Sequence, residues 1–310
     1  MFNFFKKQRK RRTQVMESGI EKWNGTLEEQ KIQPPLEDNI AACKQIFSDM
    51  DIIRYRILET GGDMPRRYFL VFCDGLVNSE IINNNIVKPL MLFTPAESGE
   101  MMDVLLAEGV QVGEAATADT FRNVVESVTA GDTVLFADGC SQAAILNTKN
   151  LALRSIEEPD NEKVLGGPRE GFTESLMRNL SQVVRRVHTS EFKIKMLTLG
   201  RRTQTPVCVC YFDSLADKSI LEELFRRLNK IDIDGMLDAN YITELIRDHK
   251  YSPFRTTGYT ERPDVIIAKL LEGRIAIFVD GSPMVLTIPY LFIENFQSNE
   301  DYYFNFYYAS

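Results

Sequence analysis

Four short apolar runs in this chain end in an aspartate: FLVFCDGL at Asp74, TVLFADGC at Asp138, CVCYFDSL at Asp213 and RIAIFVDGSP at Asp280. They form two pairs. At an offset of 139, Asp213 falls on Asp74 and Leu215 on Leu76. At the same offset Phe192, Ile194 and Met196 fall on Ile53, Tyr55 and Ile57, while Lys193 and Lys195 fall on Arg54 and Arg56. Each copy therefore opens with an alternating strand, apolar on one face and basic on the other, as suits a sheet edge. The match runs on without a gap: Ile220 and Leu221 fall on Ile81 and Ile82, and Phe225 on Ile86. Gapless agreement in both apolar pattern and strand charge points to one unit copied twice.

Each half reads helix, edge strand, short turn, strand–Asp, helices, then a second strand–Asp. The turns ETGGDMPRR and GRRTQTP are too short for a crossover helix, so the strands they join are antiparallel. The later strand follows helices, which allows it to be parallel to one of them. The expected fold is thus α/β: two similar domains from an internal duplication, each a mixed β-sheet covered by helices.

A chain of 310 residues exceeds the ~250–300 at which single cores stop growing, and 44% hydrophobic residues suffice for two cores. Residues 1–35 read as a basic arm and lead-in, 36–153 as the first domain, 154–170 as a linker, 171–297 as the second domain, and 298–310 as a tail. The first domain starts with the helix EDNIAACKQIFSDM. In the second, Leu176, Leu180, Val183 and Val187 line one helix face with Thr173 as its N-cap. A later stripe of Ile220, Leu221, Leu224, Phe225 and Leu228 has capping-box spacing at Ser219 and Glu222. Pro263 opens a further helix that Gly273 closes.

The net charge is −8, yet Lys6, Lys7, Arg9, Lys10, Arg11 and Arg12 put six positive charges in the arm, leaving the remainder at about −14. Such a body repels phosphate, so nucleic acid is not an expected partner. Beside Phe2, Phe4 and Phe5, the arm suits an anionic membrane surface, where each basic residue contributes ~1 kcal/mol. A solvated tail without a partner is the equal alternative. No apolar run approaches the ~18 residues of a spanning helix. The five cysteines, Cys43, Cys73, Cys140, Cys208 and Cys210, read as buried thiols rather than a disulfide framework.

Catalytic signals are absent. No phosphate-binding or dinucleotide-binding glycine motif occurs, and His188 and His249 lie at polar helix ends. DIDGMLD resembles part of a calcium loop but lacks the ligand ladder and its closing glutamate, so neither a metal nor a cofactor is expected. A strand ending in Asp-Gly is most often only a turn. Its functional reading is a ligand crevice at the strand ends, and paired carboxylates such as Asp213 and Asp280 are its enzymatic extreme. Two charged helix entrances stand out, GGPREGFTE with Arg169 and Glu170, and TERPD with Glu261, Arg262 and Asp264. Meeting near Asp280 and Gly281, they would form an inter-domain latch or a polar ligand rim, and the latch is favoured.

Four stretches, GGPREGFTESLMRNLSQVVRRV, IDIDGMLDANYITELI, YTERPDVIIAKLLEGRIAIFVDGSPMVLTIP and FQSNEDYY, together resemble the N-terminal soluble region of GerA-family spore germinant receptor A subunits. The resemblance is dense from Gly166 to Tyr303 and diffuse before that. It implies a region facing the cytoplasm, or spore core, ahead of a membrane domain that this chain lacks. It also implies B and C subunits and other A subunits as partners, in a complex of the spore inner membrane that responds to nutrients. The implied function is a non-catalytic regulatory and assembly domain in germination signalling. A small-molecule sensor, with a polar site between domains or near Asp280, is the alternative, and the resemblance does not assign nutrient binding to this region.

Overall fold

The computed structural model describes residues 26–61, 65–93, 101–150, 170–247, 255–291 and 294. The chain divides into two units, one holding the elements from Leu36 to Leu146 and the other those from Leu176 to Ile288.

The first unit contains α1 (Leu36–Ile46), strands β1 (Ile53–Glu59), β2 (Arg67–Cys73) and β3 (Ala115–Ala118), α2 (Phe121–Ala130), then β4 (Thr133–Ala137) and β5 (Ala143–Leu146). The second contains α3 (Leu176–Val184), β6 (Phe192–Leu199), β7 (Thr205–Phe212), α4 (Lys218–Leu228), α5 (Ala239–Leu245), β8 (Gly258–Thr260), α6 (Pro263–Leu271), β9 (Ile275–Val279) and β10 (Val285–Ile288). Sheet order is β1-β2-β4-β5-β3 in one and β6-β7-β9-β10-β8 in the other. Residues 53–57 and 192–196 are the equivalent edge strands that the offset requires.

The sheets are antiparallel throughout, not mixed. β4 does run the same way as β3, to which α2 connects it, but β5 folds back and occupies the place between them. The helix crossover was legible, whereas β3, β5 and their counterparts are three or four residues long and carry little pattern. Helix starts shift too. Asp217, not Ser219, caps α4 by accepting from the Ser219 and Ile220 N–H groups, and α3 begins after Ser175 rather than at Thr173.

Strand periodicity splits each sheet into two buried faces. On one face of the first sheet Leu70, Leu135 and Leu146 pack with Ile82 and Ile86 from a π-helical run over Ile82–Val87 and with Leu90 from the helical turn after it. The other carries Phe69, stacked on Tyr55 and tilted against Phe136, with Phe121 of α2 completing the row. In the second sheet Val207, Val209, Ile275 and Ile277 pack on Leu221, Leu224 and Leu228 of α4 and Ile242 of α5. Cys208, Cys210 and Phe278 are buried on the opposite face. Each sheet is therefore the middle of three layers. Gly131 and Gly273 end the equivalent helices α2 and α6 at φ +96° and +85°. A Cβ there would stand 3.1 Å from the Leu76 carbonyl oxygen and 2.6 Å from that of Leu215. Those leucines are a pair matched by the 139-residue offset.

Candidate functional site

Three loops of the second unit meet at one corner: residues 170–175 before α3, 261–262 before α6, and 280–281 after β9. The Phe172 N–H donates to the Glu261 carbonyl at 2.7 Å, and the Gly281 N–H to the Glu174 carbonyl at 2.7 Å. Asp280 Oδ1 accepts the Leu176 N–H at 3.0 Å, so a residue 104 positions away satisfies one of the orphan donors at the start of α3. Buried Asn179 loops back from α3 to hold both backbone groups of Thr173.

The first unit repeats this arrangement bond for bond. Asp138 Oδ1 accepts the Leu36 N–H at 3.1 Å, and Asn39 holds both backbone groups of Gln33. The Ile32 N–H donates to the Asp119 carbonyl at 3.0 Å and the Gly139 N–H to the Pro34 carbonyl at 2.8 Å. A device present in both copies builds the fold. The carboxylates of Asp138 and Asp280 are spent on capping the opening helix of their own unit.

Antiparallel pairing also separates the strand-end aspartates. Val207 lies opposite Val279, so Asp280 sits beside the start of β7 while Asp213 follows its far end. Asp280 donates its N–H to the Pro206 carbonyl and Asp213 donates its own to that of Glu191. The two carboxylates cannot work as a pair. Asp213 bonds Lys218, and Asp74, its counterpart, pairs with Arg54 at 3.1 Å.

The two copies differ in the charges around the corner. Glu170 accepts from Arg185 at 2.6 Å and also from Arg186. Burial pushes the Glu170 carboxyl up, but Arg186 and Arg185 outweigh it and hold its pKa below the usual carboxylate range. Arg262 is buried and grips Asp264 with Nε and Nη2, at 3.2 and 2.7 Å. Glu261 is buried beside it. Backbone bonds thus bring Glu261 to Phe172 and Gly281 to Glu174, with Asp280 on the first residue of α3 and Arg262 and Asp264 following Glu261, whereas Glu170 lies with Arg185 and Arg186 at the other end of α3. Glu170 pairs with Arg185 and Arg186, and Arg262 pairs with Asp264. Arg169 lies outside the described residues, as do His249 and the arm residues Lys6, Lys7, Arg9, Lys10, Arg11 and Arg12.

Asp232 and Asp234 face Arg201 and Arg202, and Asp238 caps α5 and accepts from Ser282 at 2.7 Å. Among the described residues no group of three His, Cys, Asp or Glu side chains is placed to hold a metal. His188 is exposed. All five cysteines are free and buried, and burial pushes the Cys73 thiol up to about 12.

Sequence reasoning missed two features. Asn39 and Asn179 sit three residues after Leu36 and Leu176, an L-x-x-N match at an offset of 140 that a gapless 139 comparison passes over. The second is an ion pair tying the chain leaving each unit's last strand to the start of its fourth. In the first unit Lys149 pairs with Asp132 at 3.1 Å. In the second, Glu294 takes Arg274, the counterpart of Asp132, and Lys269 at 3.0 Å, with all three side chains under a tenth exposed. Burial alone would raise the Glu294 pKa. The Leu291 N–H, Lys269 and Arg274 together hold it below the usual range.

Residues 41–310 match the family model described as Bacillus/Clostridium GerA spore germination protein. Over 276 residues the chain is 38% identical to the uncharacterized membrane protein YfkQ of Bacillus subtilis (strain 168), covering 89% of this chain and 53% of that protein. It is 35% identical to spore germination protein KA of the same bacterium, covering 89% and 51%. The chain thus spans about half the length of these relatives. Its structure is similar to the crystal structure of the N-terminal domain of the A subunit of the Bacillus megaterium spore germinant receptor GerK3. The TM-score is 0.67 at 29% identity, covering 85% of this chain and 98% of that one.

Proposed function

We propose, from the premise that this chain belongs to the Bacillus/Clostridium GerA spore germination family, that it works as a non-catalytic regulatory and assembly domain of a germinant receptor A subunit. In this reading it lies at the cytoplasmic, spore-core face of the spore inner membrane and contacts B and C subunits and other A subunits. The linker at 154–170 joins its two domains, and the basic arm rests on the anionic leaflet. One observation carries the reading: the chain covers nearly the whole of a domain solved from a germinant receptor's A subunit, and about half the length of its relatives. The build of the described residues supports it. Asp213 and Asp280 stand at opposite ends of their sheet, and Asp280 caps a helix end.

What one copy has and the other lacks is where a partner surface is to be sought, and the corner around Glu170 is such a place. Glu170→Arg would gather three guanidinium groups there. The tagged 310-residue chain, mixed with a detergent extract of spore inner membrane, is expected to recover B and C subunits, and the variant to recover at least tenfold less at unchanged circular dichroism. Failure of the unaltered chain to recover either subunit would overturn the reading. Equal recovery by the variant would remove the Glu170 corner from it.

A further inference from the structure

The second unit contains an open cleft of about 520 Å³, away from the corner described above. Its size falls within the ~300–1,000 Å³ range of small-molecule sites. One wall is α4, which presents Ile220 and Leu224 one turn apart, with Ile246 at the end of α5 beside them. The opposite wall is the chain leaving β10, with Ile288 facing the apolar floor. Among the described residues, two arginines and one glutamate supply the charge. Arg227 reaches across the first wall, donating from Nε to Glu223 at 2.7 Å and from Nη1 to the Ile246 carbonyl. Bonds from Arg226 and then Arg227 hold Glu223 down at about 2, so it is ionised throughout the neutral range. Its charge offsets that of Arg227. The remaining cation is Arg255, exposed at the rim, its guanidinium 5.3 Å from the Tyr259 ring centroid and Nη1 bonded to the Tyr259 hydroxyl. That contact orients the planar fork, which matches a carboxylate.

The comparison of the copies separates this cleft from the fold-building corner. At the offsets that align the two units, Glu223 corresponds to Asn84, Arg227 to Lys88 and Arg255 to Gly113. The first unit's equivalent helix is π-helical over Ile82–Val87. Glu223 and Arg255 thus have no charged counterpart in the first copy, so neither charge is needed to make this fold.

We propose that this cleft binds a small amphiphilic monocarboxylate. Its apolar body lies on Ile220, Leu224, Ile246 and Ile288, and its carboxylate lies on Arg255. Among the described residues the lining carries one positive charge beyond its own ion pair, which suits one negative charge and disfavours a cation. The site stands on the second unit alone and does not depend on the assembly reading.

Three isoleucines line the cleft, which makes methyl spectroscopy the direct test. The 310-residue chain, labelled at isoleucine δ1 methyls, is titrated below the micellar range with octanoate, octan-1-ol and octylamine. Octanoate is expected to give saturable shifts at Ile220, Ile246 and Ile288, with octanol weaker and octylamine silent. Arg255→Gln should weaken octanoate at least tenfold, about 1.4 kcal/mol, and leave octanol unchanged. Arg255→Lys should retain part of the affinity. The proposal falls if octanoate leaves these three methyls unmoved, if it shifts isoleucines throughout the chain equally, if octylamine binds as well, or if Arg255→Gln binds octanoate unchanged. Subunit recovery in the Glu170 experiment is a separate readout, so either idea can fail alone.

Discussion

Replacing Asp280 by alanine should destabilise the second domain as a lost helix cap does, and replacing Asp138 should do the same to the first. Each carboxylate accepts a single backbone N–H, at 3.0 and 3.1 Å, and each side chain is exposed. That places the cost in the middle of the cap range, about 1 kcal/mol, or about 4 °C in the melting temperature of a domain this size. The neighbouring bonds from Gly281 to Glu174 and from Gly139 to Pro34 remain, so the corner should loosen rather than come apart. Asparagine keeps an acceptor at the same place and caps a helix about as well. Asp280→Asn should therefore lose only the interaction of charge with the helix dipole, about 0.3 kcal/mol at this exposed site. Calorimetry gives the magnitudes, and native-state hydrogen exchange shows which domain is affected. The two alanine variants should agree within ~0.5 kcal/mol and add in the double variant. The reasoning is refuted if Asp280→Asn costs as much as Asp280→Ala, or if Asp280→Ala leaves α3 protection unchanged.

Two further outcomes follow from the ion pairs and the arm. The Glu294 pKa is below its unfolded value, so the pair's contribution is complete above the ordinary carboxylate range and is lost as pH falls through the folded pKa. Glu294→Gln leaves Lys269 and Arg274 buried with one partner fewer, so it should cost about 3 kcal/mol at pH 7 and flatten the acid limb of stability in the second domain. An unaltered acid limb in that variant would show that other groups govern it. Deleting residues 1–12 should reduce co-sedimentation with vesicles containing phosphatidylserine at least tenfold, and equal pelleting would remove the arm as a membrane contact.

The duplication was legible because the residues that build it have strong, local patterns. Alternating strands such as Phe192–Leu199, the stripe of α4 and the Pro263–Gly273 helix frame each rest on a handful of adjacent residues. Strand direction did not become legible in the same way. Whether β4 pairs parallel or antiparallel depends on where β5 goes, and AAIL carries no register information. The corner residues were found by their unusual composition, yet the role of Asp280 was not. Its partner is a backbone N–H a hundred residues upstream, and no local spacing encodes that. Asn179 and Glu294 escaped for a related reason, since a buried polar side chain declares itself only once the surroundings that bury it are known.

The same long-range caps set an order of events during synthesis. The opening helix of each domain is finished by an aspartate made 102 or 104 residues later, after every other strand but one has been synthesised. Neither α1 nor α3 is complete as a nascent segment, and the loop to be closed is nearly the whole domain. Each domain should therefore emerge unfinished and settle only when its fourth strand arrives, so that the first copy is closed before the chain of the second has begun its own sheet.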